Sequence, residues 1–212
     1  MRGIFVTLEG PDGAGKSTQQ RLLVERLLRT GREVVATREP GGTPLGERIR
    51  GMLLESETAH DPLVDALLFN AARRALVEQV IRPSLARGAV VVCDRFTDST
   101  LAYQAYGGGA PLADLVALAK VATGGLRPAR TVLLELDVDA GLARRQGGPA
   151  AELTRFETSD DHDRDFHQRV RDGYLALAAA EPARWRVVEA SGAPDRVADL
   201  VWEELRDLFE EA

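Results

Sequence analysis

The chain has 212 residues, 44% of them hydrophobic and 28% charged, with a formal net charge of −6 and a pI near 5.2. That length suits a single α/β domain with a sizeable core, and the acidic balance argues against nonspecific nucleic-acid or membrane-surface binding. Its single cysteine, Cys93, excludes an intrachain disulfide and fits a reducing cytosol. No apolar run approaches transmembrane length, and Met1-Arg2-Gly3 leads into the first strand with no signal-peptide pattern, so a cytoplasmic protein is expected.

Residues 3–9 read as a buried strand. They run into Gly10-Pro11-Asp12-Gly13-Ala14-Gly15-Lys16-Ser17, which matches the phosphate-binding pattern G-x-x-x-x-G-K-[ST]. Leu22, Leu23, Leu27 and Leu28 then fall at helical spacing and predict a helix over 16–29. A strand, a glycine turn and a helix N-terminus together make an anion site: backbone N–H groups point inward and the helix start adds partial positive charge. Lys16 reaches the β/γ phosphates and Ser17 offers a hydroxyl to Mg²⁺. The expected ATP site is thus Gly10, Pro11, Asp12, Gly13, Ala14, Gly15, Lys16, Ser17 and Thr18.

Further strands are predicted at 33–37, 89–94, 131–137 and 185–189. Helical patterns fill about 44–55, 62–87, 96–106, 112–123, 139–146, 160–180 and 194–210. Short Val/Leu-rich strands alternating with helices predict a five-stranded parallel sheet with helices on both faces, the P-loop NTPase type of α/β fold. Ligands then bind beyond the strands' C-terminal ends.

Four segments beyond the loop bear on chemistry. Arg38-Glu39-Pro40-Gly41-Gly42 is a turn presenting two charges at the P-loop edge, or a plain strand-to-helix connection. Phe69 and Arg73 share one helical face; they fit either a base-stacking pair or a core Phe beside a surface Arg. Val90-Val91-Val92-Cys93-Asp94 ends in Asp94-Arg95, where an acid orients Mg²⁺ and an arginine faces phosphates, or the two form a structural ion pair. Gln146-Gly147-Gly148-Pro149-Ala150-Ala151, flanked by Arg144, Arg145 and Arg155, fits a cationic lid over about 144–157 as well as it fits a solvated loop. Cys93 reads as a small buried hydrophobe. The three histidines lack metal-ligand spacing, and Asp160-Asp161-His162-Asp163 reads as helix capping.

The run Val92-Cys93-Asp94-Arg95-Phe96-Thr97-Asp98-Ser99-Thr100-Leu101-Ala102-Tyr103-Gln104 closely resembles the signature of bacterial thymidylate kinases. So do Thr37-Arg38-Glu39-Pro40-Gly41-Gly42-Thr43 and Leu68-Phe69-Asn70-Ala71-Ala72-Arg73, in the same order and separation, over residues 3 to about 205. The resemblance implies that Phe69 stacks on thymine, Arg73 donates to a pyrimidine carbonyl, and Thr100 and Gln104 meet the N3 edge. Tyr103, with Ser99 nearby, is implied to crowd the 2′ position, and Asp12 to sit near the 3′-hydroxyl. Arg38, Arg50 and Arg95 are implied around the acceptor phosphate, with Glu39 ordering that edge, Tyr174 at the closed site and Ala190–Pro194 against adenine. Some members carry an arginine inside the P-loop. This chain has Asp12 and Gly13 there, so the resemblance points to lid arginines: Arg144 and Arg145 first, then Arg155.

The implied reaction is ATP + dTMP → ADP + dTDP, in a homodimer using helices 62–87 and 112–123. A phosphate acceptor has a second pKa of about 6 and needs no general base; catalysis becomes positioning and charge neutralisation. The alternative is a P-loop kinase of another deoxynucleotide or deoxynucleoside, although a deoxynucleoside leaves the phosphate-binding arginines without a purpose. A GTPase-like switch is disfavoured, because no N-K-x-D sequence occurs.

Overall fold

The computed structural model of the protein describes residues 3–54, 61–146 and 162–210. The strands are β1 (Ile4–Glu9), β2 (Val34–Arg38), β3 (Val90–Asp94), β4 (Arg130–Glu135) and β5 (Trp185–Glu189). All pair in parallel, in the order β2-β3-β1-β4-β5. Side chains alternate across the sheet as the strand repeat demands. Ile4, Val6, Leu8, Val90 and Val92 face one core, which α1 (Lys16–Leu28) and α9 (Pro194–Glu203) cover. Phe5, Val91 and Cys93 face the other, where Leu76, Val77 and Ile81 pack. Of the leucines that mark α1, Leu23 and Leu27 enter the core, whereas Leu28 is exposed.

The helix expected over 62–87 is not uniform. It runs as α3 (Pro62–Leu76), a π-helical turn at Val77–Ile81, and α4 (Arg82–Ala86). Pro83 has no N–H to give to Gln79, and its ring crowds that carbonyl, so the widened turn absorbs the fault. A second widened stretch, Leu101–Gly107, follows the one-turn α5 (Thr97–Thr100). The expected helix over 194–210 divides into α9 and α10 (Arg206–Glu210). The remaining helices are α2 (Pro44–Leu54), α6 (Leu112–Thr123), α7 (Val138–Gln146) and α8 (His162–Ala180).

Every strand ends at its C-terminal edge in a charged residue: Arg38, Asp94, Glu9, Glu135 and Glu189, in sheet order. Apolar strands drive the sheet together, and this rim of charge marks where its chemistry lies. Among the described residues, no helix is long and apolar enough to cross a membrane.

Candidate active site

The P-loop joins β1 to α1. Gly10, Gly13 and Gly15 all adopt positive φ, at 146°, 78° and 87°. At Gly13 space is as restrictive as conformation, since a Cβ there would lie 2.3 Å from the carbonyl oxygen of Gly141 in α7. The loop and α7 therefore pack backbone against backbone. Lys16 Nζ donates to the carbonyls of Gly10 (3.0 Å) and Pro11 (2.8 Å), curling its cation over the loop. Burial, followed by the nearby Arg95 charge, lowers its pKa to about 8.

Ser17 donates its hydroxyl to Asp94 Oδ2 at 2.8 Å. A serine hydroxyl beside a carboxylate is a hard-oxygen pair suited to Mg²⁺ that keeps several waters and phosphate oxygens as its other ligands. Among the described residues there is no cluster of three or more His, Cys, Asp or Glu that would hold a metal without a substrate.

Arg95 follows Asp94 with φ 67°, and among the described residues no other non-glycine has positive φ. This left-handed conformation costs on the order of 1–3 kcal/mol. It sends the guanidinium under the P-loop. There Nη2 pairs with Asp12 and donates to Tyr103 Oη at 3.1 Å, while Nη1 donates to Ser99 Oγ at 3.0 Å, Tyr174 Oη at 3.2 Å and the Gly10 carbonyl at 3.3 Å. Tyr103 Oη in turn donates to Asp12 Oδ2 at 2.9 Å. Asp12, Ser99, Tyr103, Tyr174 and Arg95 thus form one cluster. Tyr174 is fully buried and joins it from below through its hydroxyl.

Arg73 is 1% exposed and tightly held. Its Nε donates to Glu39 Oε2 at 2.8 Å, Nη1 to Asn70 Oδ1 at 3.1 Å, and Nη2 to the Phe96 carbonyl and Thr100 Oγ1, both at 3.0 Å. Arg73 is therefore neither a surface arginine nor a loose one. Burial pushes the Glu39 carboxyl up, and the Arg73 guanidinium pulls it back. Glu39 thus anchors Arg73 rather than facing solvent, and its Oε1 is buried without a hydrogen-bond partner. Gln104 is also buried, and Phe69 packs partly against Ile49, Leu53 and Ala72.

At the β2 rim, Arg38 pairs with Glu47 at 3.2 Å, and Arg50 Nη1 donates to the Pro40 carbonyl at 3.1 Å. Burial and the neighbouring Arg38 charge both work against Arg50's own charge, while Glu47 and Asp94 favour it. An arriving phosphate dianion would relieve that crowding. Arg144 is elsewhere: it donates to the carbonyls of Ala190 (2.9 Å) and Ser191 (2.8 Å). Its guanidinium thus rests on the turn after β5. Arg155 and most of the expected lid over 144–157 lie outside the described residues, as do the side chain of Arg145 and the capping assigned to residues 160–163.

Two participants escape sequence reasoning. Glu9 accepts the Phe96 N–H and the Ser99 hydroxyl; its signal is a carboxylate closing a strand that is apolar but for Thr7. Gln20 donates to the carbonyls of Thr37 and Val92, tying α1 to the ends of β2 and β3, and nothing in the sequence separates it from a surface glutamine.

A P-loop with a serine–aspartate pair, and Arg38, Arg50 and Arg95 at the same sheet edge, is the arrangement of a P-loop nucleoside monophosphate kinase. The family model described as thymidylate kinase matches residues 8–201. The thymidylate kinase of Thermomicrobium roseum is 52% identical over 198 residues, covering 93% of this chain and 92% of its own. That of Deinococcus radiodurans is 47% identical over 203 residues, covering 95% of each. The crystal structure of the Ehrlichia chaffeensis thymidylate kinase superposes with a TM-score of 0.78 at 34% identity, covering 97% of this chain and 99% of that one. The chain belongs to the thymidylate kinase family, whose members are ATP-dependent kinases of dTMP that use Mg²⁺.

Proposed function

We propose that this thymidylate kinase transfers the γ-phosphoryl of ATP in line to the phosphate of dTMP, with Arg95 as the cation between the two substrates. The observation that carries this is the Arg95 conformation, which turns a strand-end guanidinium under the P-loop to meet Asp12 and Tyr103. The P-loop amides and Lys16 hold the β/γ phosphates. Arg38, Arg50 and Arg95 gather the acceptor dianion, which needs no proton removed. Asp12 serves the 3′-hydroxyl, and Tyr103 and Ser99 close the 2′ side. Phe69 covers the base, with Arg73, Thr100 and Gln104 along its polar edge and Glu39 fixing Arg73. Tyr174 braces the guanidinium from beneath. Ser17 and Asp94 would hold Mg²⁺, which would supply positive charge against the phosphates. With no cation in the P-loop beyond Lys16, the remaining transferred charge falls to Arg145 and Arg155, with Arg144 set against the adenine-side loop.

A homodimer is supported by exposed apolar side chains on two helices that pack side by side: Val64 and Leu67 on α3, Val116 and Val121 on α6. Leu67→Glu should then shift the sedimentation coefficient to that of a monomer. The lone, buried Cys93 supports a cytoplasmic setting.

The test is ADP release with dTMP, dUMP, thymidine, CMP and AMP as acceptors. Turnover on dTMP should dominate; turnover on thymidine with none on dTMP would refute the reading. Arg95→Ala should cost on the order of 10³-fold in dTMP turnover, and full activity would remove Arg95 from this role.

A further inference from the structure

Glu9 has no role in the reaction outlined above, yet it touches Arg95's surroundings at both ends. Its side chain is fully buried at the end of β1. Oε1 accepts the Phe96 N–H at 2.7 Å. Oε2 accepts the Ser99 hydroxyl at 2.5 Å and the Tyr174 hydroxyl at 3.1 Å. Those same two hydroxyls receive Arg95 Nη1.

The consequences are of two kinds. The first concerns the backbone. Arg95 N–H still bonds to the Leu8 carbonyl at 3.0 Å, so β3 stays in register through that residue. The left-handed turn at Arg95 then swings the next amide out of the ladder, into the buried space above Glu9. A buried N–H needs an acceptor, and the carboxylate supplies it. The Phe96 carbonyl on the other flank is held by Arg73. The Phe96 backbone that follows the strained residue is thus gripped on both sides by buried charged groups.

The second concerns hydroxyl orientation. Ionised, as it is above about pH 7, the Glu9 carboxylate only accepts hydrogen bonds, so it draws in the O–H of Ser99 at 2.5 Å and competes for that of Tyr174 with the 2.8 Å contact between the two hydroxyls. That leaves the oxygen lone pairs of both facing Arg95, whose guanidinium only donates. One buried carboxylate therefore fixes both the backbone from which Arg95 springs and the cradle in which its charge rests.

We infer that Glu9 is a positioning residue for phosphoryl transfer, acting through Arg95 by clamping the Phe96 amide and orienting the Ser99 and Tyr174 hydroxyls. This rests on the assignment of Arg95 to the acceptor phosphate. Glu9→Gln preserves shape but places an NH₂ donor where one carboxylate oxygen stood, turning the hydroxyls against the guanidinium. Displacement of a catalytic group by about 1 Å costs up to about 10²-fold, and a misaligned cradle is a smaller fault.

The experiment is a double-mutant cycle on kcat/KM for dTMP, using Glu9→Gln, Arg95→Ala and the pair, with KM for ATP measured in parallel. Glu9→Gln is expected to lower kcat/KM for dTMP about tenfold in the parent, to leave KM for ATP within about twofold, and to cost less than about twofold in the Arg95→Ala background. An equal loss in both backgrounds, an equal rise in KM for ATP, or no loss in the parent would overturn the inference. If Glu9→Gln does not fold, Glu9→Asp, one methylene too short to span Phe96 and Tyr174 together, takes its place in the cycle with the same expectation. Full activity of Arg95→Ala alone would instead overturn the assignment of Arg95. A large Arg95→Ala loss without coupling to Glu9 would overturn only the role given to Glu9.

Discussion

Arg95 and Asp12 form an ion pair between the β3 tip and the P-loop, with each side chain 18% exposed. The pair joins the P-loop to the segment after β3, and Tyr103 bridges both partners through its hydroxyl; under the proposed function this links the donor-phosphate loop to the acceptor side. Lys16 is anchored differently, on the Gly10 and Pro11 carbonyls, with Asp12 3.9 Å away. Asp12→Asn should therefore lower kcat/KM for dTMP on the order of 10²-fold, the cost of truncating one half of a desolvated charge pair. KM for ATP should move less than about threefold. Initial rates with each substrate varied in turn decide the matter, and a rise in KM for ATP equal to the dTMP effect would tie Asp12 to the triphosphate instead.

The α7–P-loop contact gives a prediction of opposite sign to helix propensity. Gly141 sits inside α7, where alanine would ordinarily stabilise by about 1 kcal/mol. A Cβ there, however, would lie 2.7 Å from the Asp12 carbonyl oxygen, a backbone atom that cannot step aside without moving the loop. Gly141→Ala should thus lower kcat/KM for both substrates, with little gain in Tm. A variant that is more stable and fully active would show that α7 and the loop separate freely.

The parallel sheet is legible because its strands are short runs rich in Val and Leu, broken by few polar residues and bounded by turn residues, and the expected strand ends lie within two residues of the observed ones. The P-loop was legible because glycine spacing is a local property. Pro83 was visible too, yet a widened turn within a continuing helix has no sequence signature beyond that proline. Arg73 shows the harder limit. Its charge reads as surface, and its burial follows from Glu39, Asn70, Phe96 and Thr100, which are brought together from distant parts of the chain. Glu9 hides for the same reason, since its partners all lie at least 87 positions away.

Glu9 also predicts a pH dependence of stability. Burial, with the Asp98 carboxylate beside it, pushes its carboxyl up to about 7, against 4.5 for an ordinary glutamate. The Arg95 guanidinium and the Ser99 and Phe96 donors oppose that rise without cancelling it. Between these values the folded chain holds a proton that the unfolded chain has released. The Glu9 contribution is therefore fully present below about pH 4.5 and is lost as pH rises through about 7. Glu9→Gln cannot titrate. The unfolding free energy of the parent relative to this variant should fall as pH is raised from 5 to 8, by on the order of 1 kcal/mol per pH unit at most. Urea unfolding of both proteins across that range is the measurement, and a difference that stays flat or grows with pH would show that Glu9 is ionised throughout.

Arg144 separates a binding role from a catalytic one. Its two Nη groups tie α7 to the turn after β5 through the carbonyls of Ala190 and Ser191. Gln19 Nε2 in α1 holds the same turn from its other end, at the Pro194 carbonyl, 2.9 Å away. Under the proposed function this turn lies against adenine, and Arg144, its charge spent on neutral oxygens, would then shape the nucleotide's base end. Removing it should loosen the base site before it touches the chemistry. Arg144→Ala is expected to raise KM for ATP about five- to tenfold, equivalent to losing roughly 1–1.4 kcal/mol of binding, and to leave kcat within about threefold. A cation serving the transition state would behave in the opposite way, with kcat falling by 10³-fold or more and KM for ATP nearly unchanged. That second pattern would mean that Arg144 abandons the two carbonyls during turnover, while Gln19 and the Ala190 N–H bond to the Glu135 carbonyl still hold the turn as phosphoryl transfer proceeds.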